Sequence, residues 1–555
     1  MPDVPKEIAA EELFEEFKEH SVAEFFKKNK QMLGLSGKIR SITTIVHELV
    51  TNSLDAAEAA RILPDLEVSI RQLGEEHYEI EAIDNGPGIP KKNVAQALGQ
   101  LLAGTKFHRL VQQRGQQGIG VSGVILYSQM TSGKPIYVAS GTNKESFELT
   151  ISIDAKKNAP KIHSINELQK KFRGIRFKAE FKDVLYRKGE ASPLEYLRRT
   201  ALANPHVQII FNSPDPAEGK IVFERASKVI PKLPLEVKPH PRGTSVDELL
   251  GMAKHTIARK TSTFLKTDLD RFGDNALKDL KKMITFDLEK DPKQLKWEEA
   301  EQVVKAFKVI QFIAPRTDVL RPITEERLEK SLKNIIEPEF FSVITRKPAV
   351  YRGYPFQVEV AVAFGGNAGR ETAGVDEATG KQVRQTEIMR FANLTPLLFE
   401  GGACCITKAV KAVEWKRYGI KEFDNAPLTV LVNLISVHIP YTGAGKTAIA
   451  DEDEIFEEMR LALMDAGRKI GRFISGKRNE KEKHEKKKLF LKYASEVAIG
   501  LNKLTGKPKD VIEKKLHAIV LKKLKLEEEE LENGGIEQLK GKKEDLSEEA
   551  EGGEE

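Results

Sequence analysis

Glu48, Asn52 and Asp55 stand four and three positions apart, so a helix over Val46–Ala56 brings a carboxylate, an amide and a second carboxylate to one face. Apolar Val46, Leu49, Val50 and Leu54 lie opposite. A carboxylate beside a terminal phosphate can orient a water and take its proton, a role open to Glu48. An amide such as Asn52 can offer its oxygen to a Mg²⁺ ion that phosphates and waters otherwise hold. A second stretch, I-D-N-G-P-G-I-P (83–90), follows an alternating run and sets an acid before two glycines in a tight turn. There Asp84 can accept the exocyclic amino group of adenine, while Gly86 and Gly88 let the main chain approach the base. The third stretch, Gly99–Gly123, contains A-G-T-K-F-H (103–108) and R-G-Q-Q-G-I-G-V-S-G (114–123) ahead of an apolar helix at Val124–Tyr127. Such a segment supplies main-chain N–H groups and a positive helix end for phosphates. Taken singly, each piece also fits a solvated helix face or an ordinary turn. Together and in this order they describe a nucleotide site to which Asn52, Asp55, Asp84, Gly86 and Gly88 contribute.

Such a site needs a sheet and helices to position it, and the chain supplies both. Runs at 66–72, 77–84, 135–140, 145–153, 173–181 and 207–212 alternate like half-buried strands between helical stretches, which predicts an α/β layer domain with a mixed sheet. Residues 1–30 form an amphipathic entry segment, and a proline-dotted linker runs over 229–243. Residues 244–306 read as all helix, with a turn expected at Phe272-Gly273-Asp274. From 307 to 470 the pattern returns to α/β, with strands expected at 355–364, 389–392 and 428–439 and a helix around 402–416. An amphipathic helix is expected over 453–472, followed by the mixed-charge run Lys477–Lys488, a short helical segment and an acidic tail from Glu527.

The 555 residues suggest roughly three or four domains, and a net charge of +6 does not by itself announce a nucleic-acid binder. The only cysteines, Cys404 and Cys405, are adjacent and cannot frame a disulfide fold, which suits a reducing cytoplasm. No apolar run reaches the length of a membrane span, and no signal-peptide pattern opens the chain. A soluble, cytoplasmic protein with no membrane partner is expected.

E-L-V-T-N-S-L-D-A (48–56), D-N-G-P-G-I (84–89) and G-Q-Q-G-I-G-V (115–121) resemble the N-box, first glycine box and lid motif of the GHKL ATPases. S-V-A-E-F-F-K-K-N-K (21–30), the G-T-K-F-H block and M-R-F-A-N-L-T-P-L-L-F-E-G-G-A-C-C-I-T-K-A-V (389–410) resemble, more closely, the B-subunit family of DNA topoisomerase VI, over about residues 20–475. The resemblance implies an α/β (α+β) fold: an N-terminal arm at 1–20, a Bergerat-type GHKL ATPase sandwich at 21–228 and a helix-two-turns-helix domain at 229–306. A transducer domain with a right-handed β-α-β crossover at 307–470 and a charged C-terminal tail at 471–555 complete it. It implies ATP and Mg²⁺ as cofactors, Glu48 as general base, Asn52 as Mg²⁺ ligand and Asp84 as adenine reader. Thr105, Lys106 and the lid residues Gly115, Gln116, Gln117, Gly118, Ile119, Gly120 and Val121 would contact the phosphates. The implied partners are an A subunit in a heterotetramer of two A and two B chains, a second B chain upon ATP binding, and double-stranded DNA. One departure stands out: the family's later Gly-Thr pair corresponds here to Gly174-Ile175, without the hydroxyl.

A second nucleotide-like stretch, V-N-L-I-S-V-H-I-P-Y-T-G-A-G-K-T (432–447), resembles a P-loop, but Pro440 occupies the place of its first glycine. Proline has no N–H and a fixed φ, so it cannot make that phosphate-wrapping turn. In the resembled family this loop carries a lysine that reaches the ATPase site, which makes Lys446 the γ-phosphate sensor and the second catalytic candidate. D-E-D-E (451–454) fits a helix start better than a metal cluster. The basic residues of 254–282 (Lys254, Arg259, Lys260, Lys266, Arg271, Lys278, Lys281 and Lys282) serve equally as a DNA-phosphate face or as a solvated one. Trp415-Lys416-Arg417-Tyr418 matches the family's DNA-sensing W-K-x-Y loop, while a core-anchoring Trp and Tyr would read identically. An ATP-gated chaperone is the alternative function, and the helical insert at 244–306 argues against it.

Overall fold

Helix α1 (Lys38–Ala59) buries Ile42, Ile45, Val46, Leu49, Val50, Leu54 and Ala57, the three- and four-residue spacing of one helical face. Burying each large aliphatic side chain there contributes about 1.5–3 kcal/mol. The computed structural model describes residue 25 and residues 28–30, 34–101, 109–115, 120–375, 382–443 and 445–523. Thr105, Lys106, Gln116, Gln117, Gly118 and Ile119 lie outside the described residues, as do the arm at 1–20 and the tail from Glu527.

The face that α1 buries rests on an eight-stranded mixed sheet of β1 (Asp65–Gly74), β2 (His77–Asp84), β3 (Ile136–Gly141), β4 (Ser146–Asp154), β5 (Ala159–Glu167), β6 (Gly174–Lys182), β7 (Gln208–Asn212) and β8 (Lys220–Phe223). The order across the sheet is β5-β4-β3-β6-β2-β1-β7-β8. β1 and β2 form an antiparallel hairpin, whereas β7 joins β1 in parallel. Helices α2 (Lys91–Gly99), α3 (Gly120–Ser132) and α4 (Pro193–Ala203) share one core with α1 and the sheet, built on residues such as Ile80, Val94, Ile125, Phe181 and Leu197. The six expected strands are all present; β5 and β8 are additional.

The helical region holds α5 (Val246–His255), α6 (Thr261–Asp268), α7 (Asp274–Lys281) and α8 (Trp297–Val309) around its own core of Leu249, Phe264, Leu280, Val303 and Phe307. Ser245 and Glu248 close a capping box that starts α5. The chain turns between α6 and α7 at Asp270-Arg271, just before the expected Phe272-Gly273-Asp274, whose last residue already opens α7.

After α9 (Glu325–Ile335) comes a second sheet of β9 (Phe340–Thr345), β10 (Ala349–Tyr351), β11 (Tyr354–Phe364), β14 (Glu387–Ala392), β15 (Thr395–Pro396) and β16 (Leu428–Ser436). A separate hairpin, β12 (Arg370–Val375) with β13 (Gln382–Gln385), branches from it. β14 and β16 lie side by side in parallel, with α10 (Cys405–Lys411) in the connection, which is a β-α-β unit. β16 is buried along its whole length. Ile455, Met459, Leu463 and Ile470 of α11 (Asp453–Thr505) are buried as well.

One expectation is corrected here. α11 does not stop near 472 but runs from Asp453 to Thr505, and residues 509–523 are again helical. The chain divides into two compact units, Met1–Ile470 and Gly471–Glu555. Within the second, Gly506 turns the chain at φ 67° and Ala498 is fully buried.

Candidate functional site

Glu48 and Asn52 project from the middle of α1. The Asn52 amide nitrogen donates to the main-chain oxygen of Glu48 at 2.7 Å. Only the nitrogen can donate to a carbonyl, so the amide orientation is settled and its oxygen is left as the outward acceptor. The Glu48 side chain, 29% exposed, lies against the first residue of α3: a Cβ added to Gly120 would land on its carboxylate. The carboxylate therefore sits at the positive end of a helix, beside main-chain N–H groups. His47, edge-on to Tyr196 at 5.3 Å, has its pKa pushed down by burial and is a neutral packing neighbour.

The opposite wall is the turn after β2. Asp84 Oδ1 accepts from the main-chain N–H groups of Gly86 at 2.9 Å and Ile175 at 3.1 Å, and Oδ2 accepts from the Ser53 hydroxyl at 2.8 Å. A carboxylate offers about four lone-pair directions, so one on Oδ2 remains for a ligand donor. Burial pushes the Asp84 pKa up against these three bonds. Gly88 adopts φ 71° and a Cβ there would collide with the Gly141 carbonyl, which explains this glycine. Gly174 has φ 118° and presses on the main chain of Asp84, so the Gly174-Ile175 pair reaches the acid through the Ile175 N–H without a hydroxyl. Ser53 was not among the sequence candidates. Its place beside Asn52 on the same helix was the available signal.

Asp55 is accounted for within the protein. The buried Arg114 guanidinium bonds Asp55 at 2.8 Å, Glu58 at 2.7 Å and Asn204 Oδ1 at 2.5 Å. Asp55, expected as a cofactor-binding residue, thus anchors the segment leading into the lid. Burial works to raise the Glu58 carboxyl, but Arg114 and His206, at 2.8 Å, overcome it and hold the pKa at about 2.

Lys446 arrives from the second sheet. Its Nζ lies 3.5 Å from the Arg114 carbonyl oxygen, and its main chain has φ 49°. The loop that carries it is closed by a Tyr441–Ile449 bridge and by a bond from Ala450 N to the Pro440 oxygen at 2.7 Å, which is no phosphate-wrapping turn. Thr447 bonds Glu400, which pairs with Arg40 of α1 at 3.2 Å, while Arg390 Nη1 donates to the Thr447 carbonyl at 3.4 Å. α1 thus meets the β2 turn through Ser53 and Asp84 and meets α3 through Glu48 and Gly120, with Asn52 between Glu48 and Ser53 along α1 and Val121 following Gly120 in α3. Gly115 ends the described stem before the lid and Lys446 stands beside that stem.

The W-K-R-Y segment divides. Trp415 is 4% exposed, donates its Nε1–H to the Val410 carbonyl at 2.9 Å and stacks on Phe423 at 5.3 Å, so it is a core anchor. Tyr418 packs on α11, where a Cβ on Gly467 would come within 2.5 Å of its ring. Lys416 and Arg417 are exposed. Of the basic residues in 254–282, Lys260, Lys266 and Lys282 pair with Glu289, Asp274 and Asp279, while Lys254, Arg259, Arg271, Lys278 and Lys281 lie exposed.

The sandwich meets the second sheet through a buried ionic cluster. Arg198 and Arg199 of α4 both reach Glu387 of β14 at 2.9 Å and are also bonded by Glu195. Burial works to raise the Glu195 pKa, yet the two arginines hold it at about 2.

Residues 37–157 match the family of histidine kinase-, DNA gyrase B- and HSP90-like ATPases, and residues 315–487 match the transducer of the topoisomerase VI B subunit. The type 2 DNA topoisomerase 6 B subunit of Methanothermobacter thermautotrophicus is 46% identical over 488 residues, covering 87% of this chain and 91% of that protein. That of Pyrococcus horikoshii is 43% identical over 572 residues, covering 94% and 98%. A GHKL ATPase cleft joined to a transducer, with identity at this level over nearly the whole length, places the chain in the B-subunit family of type 2 DNA topoisomerase 6, as its ATPase component.

Proposed function

We propose that this protein takes ATP into the cleft between α1, the β2 turn and α3, and that hydrolysis there drives a DNA-passing clamp built with an A subunit. The observation that carries the proposal is the Glu48 carboxylate set against Gly120 at the start of the lid helix, with Lys446 delivered to the lid stem at Arg114 by the transducer.

Glu48 takes the proton of the attacking water, held at the positive end of α3 where charge on the reacting phosphate is also favoured. Asp84 receives the adenine amino group on its remaining Oδ2 lone pair, with Ser53 and the Ile175 N–H fixing the carboxylate. Asn52 suits a Mg²⁺ ion, because its nitrogen is committed to Glu48 and only a hard oxygen donor faces out. When bound, that ion would neutralise charge on the phosphate oxygens. Lys446 senses the γ-phosphate: its ammonium is a compact charge on a long flexible stem, and it stands at the lid stem beside the Arg114 carbonyl. Arg40, Glu400 and Arg390 then carry the change between α1 and the transducer.

The assembly is a heterotetramer of two A and two B chains, the B chains joining when ATP binds. The A chains supply the tyrosine nucleophile and the cleavage metal. Glu48→Ala should retain ATP-dependent dimerisation, read by crosslinking, while turnover falls by at least about 10²-fold, the lower range for a general base. Loss of dimerisation together with turnover would count against Glu48 as the base.

A further inference from the structure

Besides the Asp55 and Glu58 pairs of Arg114, residues 112–114, leading into the lid, are gripped at four points, two through their side chains and two through main-chain carbonyls. Gln112 exchanges two hydrogen bonds with the main chain of Arg321, at 3.0 and 2.7 Å. Asn393 Nδ2 donates to the Gln113 carbonyl at 3.2 Å, Lys446 touches the Arg114 carbonyl, and the Arg114 side chain donates to Asn204 Oδ1. From Asn204 the bonds continue inward. Its Nδ2 donates to the Leu394 carbonyl at 3.2 Å, and the Leu394 N–H donates to Asn433 Oδ1 at 3.3 Å. Asn433 Nδ2 in turn donates to Glu359 at 3.1 Å. Glu359, fully buried on β11, also accepts from the N–H groups of Ile323 at 3.0 Å and Thr324 at 2.9 Å. Two residues upstream stands Arg321, back at Gln112. The path is a closed ring through the ATPase–transducer boundary.

Two features distinguish this ring from ordinary core polarity. Asn204, Asn433 and Glu359 are fully buried, so each bond has no water to replace it. Three non-glycine members or neighbours hold left-handed main chain: Thr324 at φ 82°, Asn393 at 47° and Leu394 at 66°. A β-branched threonine and a leucine adopt that region only when their surroundings over-determine it, and such positions gather at switch regions.

We propose that Asn204 and Asn433 are positioning residues of the ATPase cycle, transmitting displacement of the lid stem to the central strands β11 and β16 of the transducer. This rests on the function proposed above. Lys446 reports the ligand, and the ring makes the response of the stem and of the strands one motion. Links in series give a definite signature: cutting the ring once uncouples it, and cutting it twice does nothing more.

Asn204→Asp keeps the oxygen that Arg114 uses and replaces the nitrogen that reaches Leu394. Asn433→Leu, of similar volume, removes both the acceptor for Leu394 N–H and the donor to Glu359. The full-length chain, with its A subunit, is assayed for ATP turnover and for decatenation per ATP. Hydrogen exchange is followed with and without a non-hydrolysable ATP analogue. Each folded single variant should keep turnover within about threefold while decatenation per ATP falls at least tenfold, and the double variant should match the singles. In the wild type the analogue should alter exchange both at 110–114 and at 431–436; in the variants only the first change should survive. Decatenation per ATP within twofold of wild type in both singles, or a multiplied loss in the double variant, overturns the inference alone. A purely structural role would lower turnover and passage together and leave the exchange pattern coupled, which also overturns it. No effect of the analogue anywhere in the wild type would remove the functional proposal and this inference together.

Discussion

Glu58 shows how one side chain can anchor the segment that leads into the lid. Its carboxylate joins Arg114 and His206, and its pKa of about 2 lies below the ordinary 4.5. A group whose folded pKa is depressed contributes stability that is fully present above its unfolded value and is lost as pH falls through the folded one. The shift corresponds to about 3 kcal/mol, an order-of-magnitude figure for a side chain 16% exposed. Glu58→Gln should therefore lower stability at pH 7, the deficit shrinking below pH 4.5 and closing near pH 2, as read from urea midpoints across that window. Glu48, Asn52 and Asp84 could be proposed from sequence because they stand in short local motifs. Arg114, Glu58 and Asn204 could not: Arg114 meets Glu58 across 56 positions and Asn204 across 90, and no periodicity links residues so far apart.

At the scale of elements, α1 and α3 face each other across Gly120, and nothing larger fits between the helix start and the Glu48 carboxylate. Gly120→Ala should leave the sandwich folded, since alanine is the better helix former, yet displace the base. The expected outcome is a fall in kcat of ten- to a hundredfold with little change in KM for ATP, measured by steady-state kinetics. Elements that bury one face could be read from sequence, and the hairpin over 65–84 emerged within a residue or two. β5 could not, because most of its residues are exposed and no apolar-in, polar-out alternation exists to be seen. The extension of α11 was hidden for a related reason. Residues 477–488 are polar all round and carry four-residue charge pairs such as Arg478 with Glu482 at 3.6 Å and Lys481 with Glu485 at 3.9 Å, so no stripe marks the helix.

At the scale of the molecule, Glu387 holds α4 and the transducer together, being 3% exposed between two arginines. Removing one partner of a buried ionic group leaves the others desolvated and unpaired, at a cost of about 3–5 kcal/mol. Glu387→Gln should lower the opening free energy of α4 and β14 amides by that amount in native-state hydrogen exchange. The amides of α7, in a separate core, should be unchanged. The Trp415 outcome belongs here too: an indole that reads as a DNA-sensing platform from its neighbours in sequence is spent on the core, and only Lys416 and Arg417 keep the surface position.

The contact between Lys446 and Arg114 spans 332 positions of the chain. At about 5–20 residues per second on a ribosome, the lysine is made roughly twenty seconds to a minute after the arginine it meets. The nucleotide-facing sandwich is complete well before then, while Arg321, Asn393 and Lys446, which grip the stem at 112–114, are still unsynthesised. A nascent chain thus owns the Asp84 wall before it owns Lys446, and the stem at 112–114 is held by all of its transducer contacts only once Lys446 has been made.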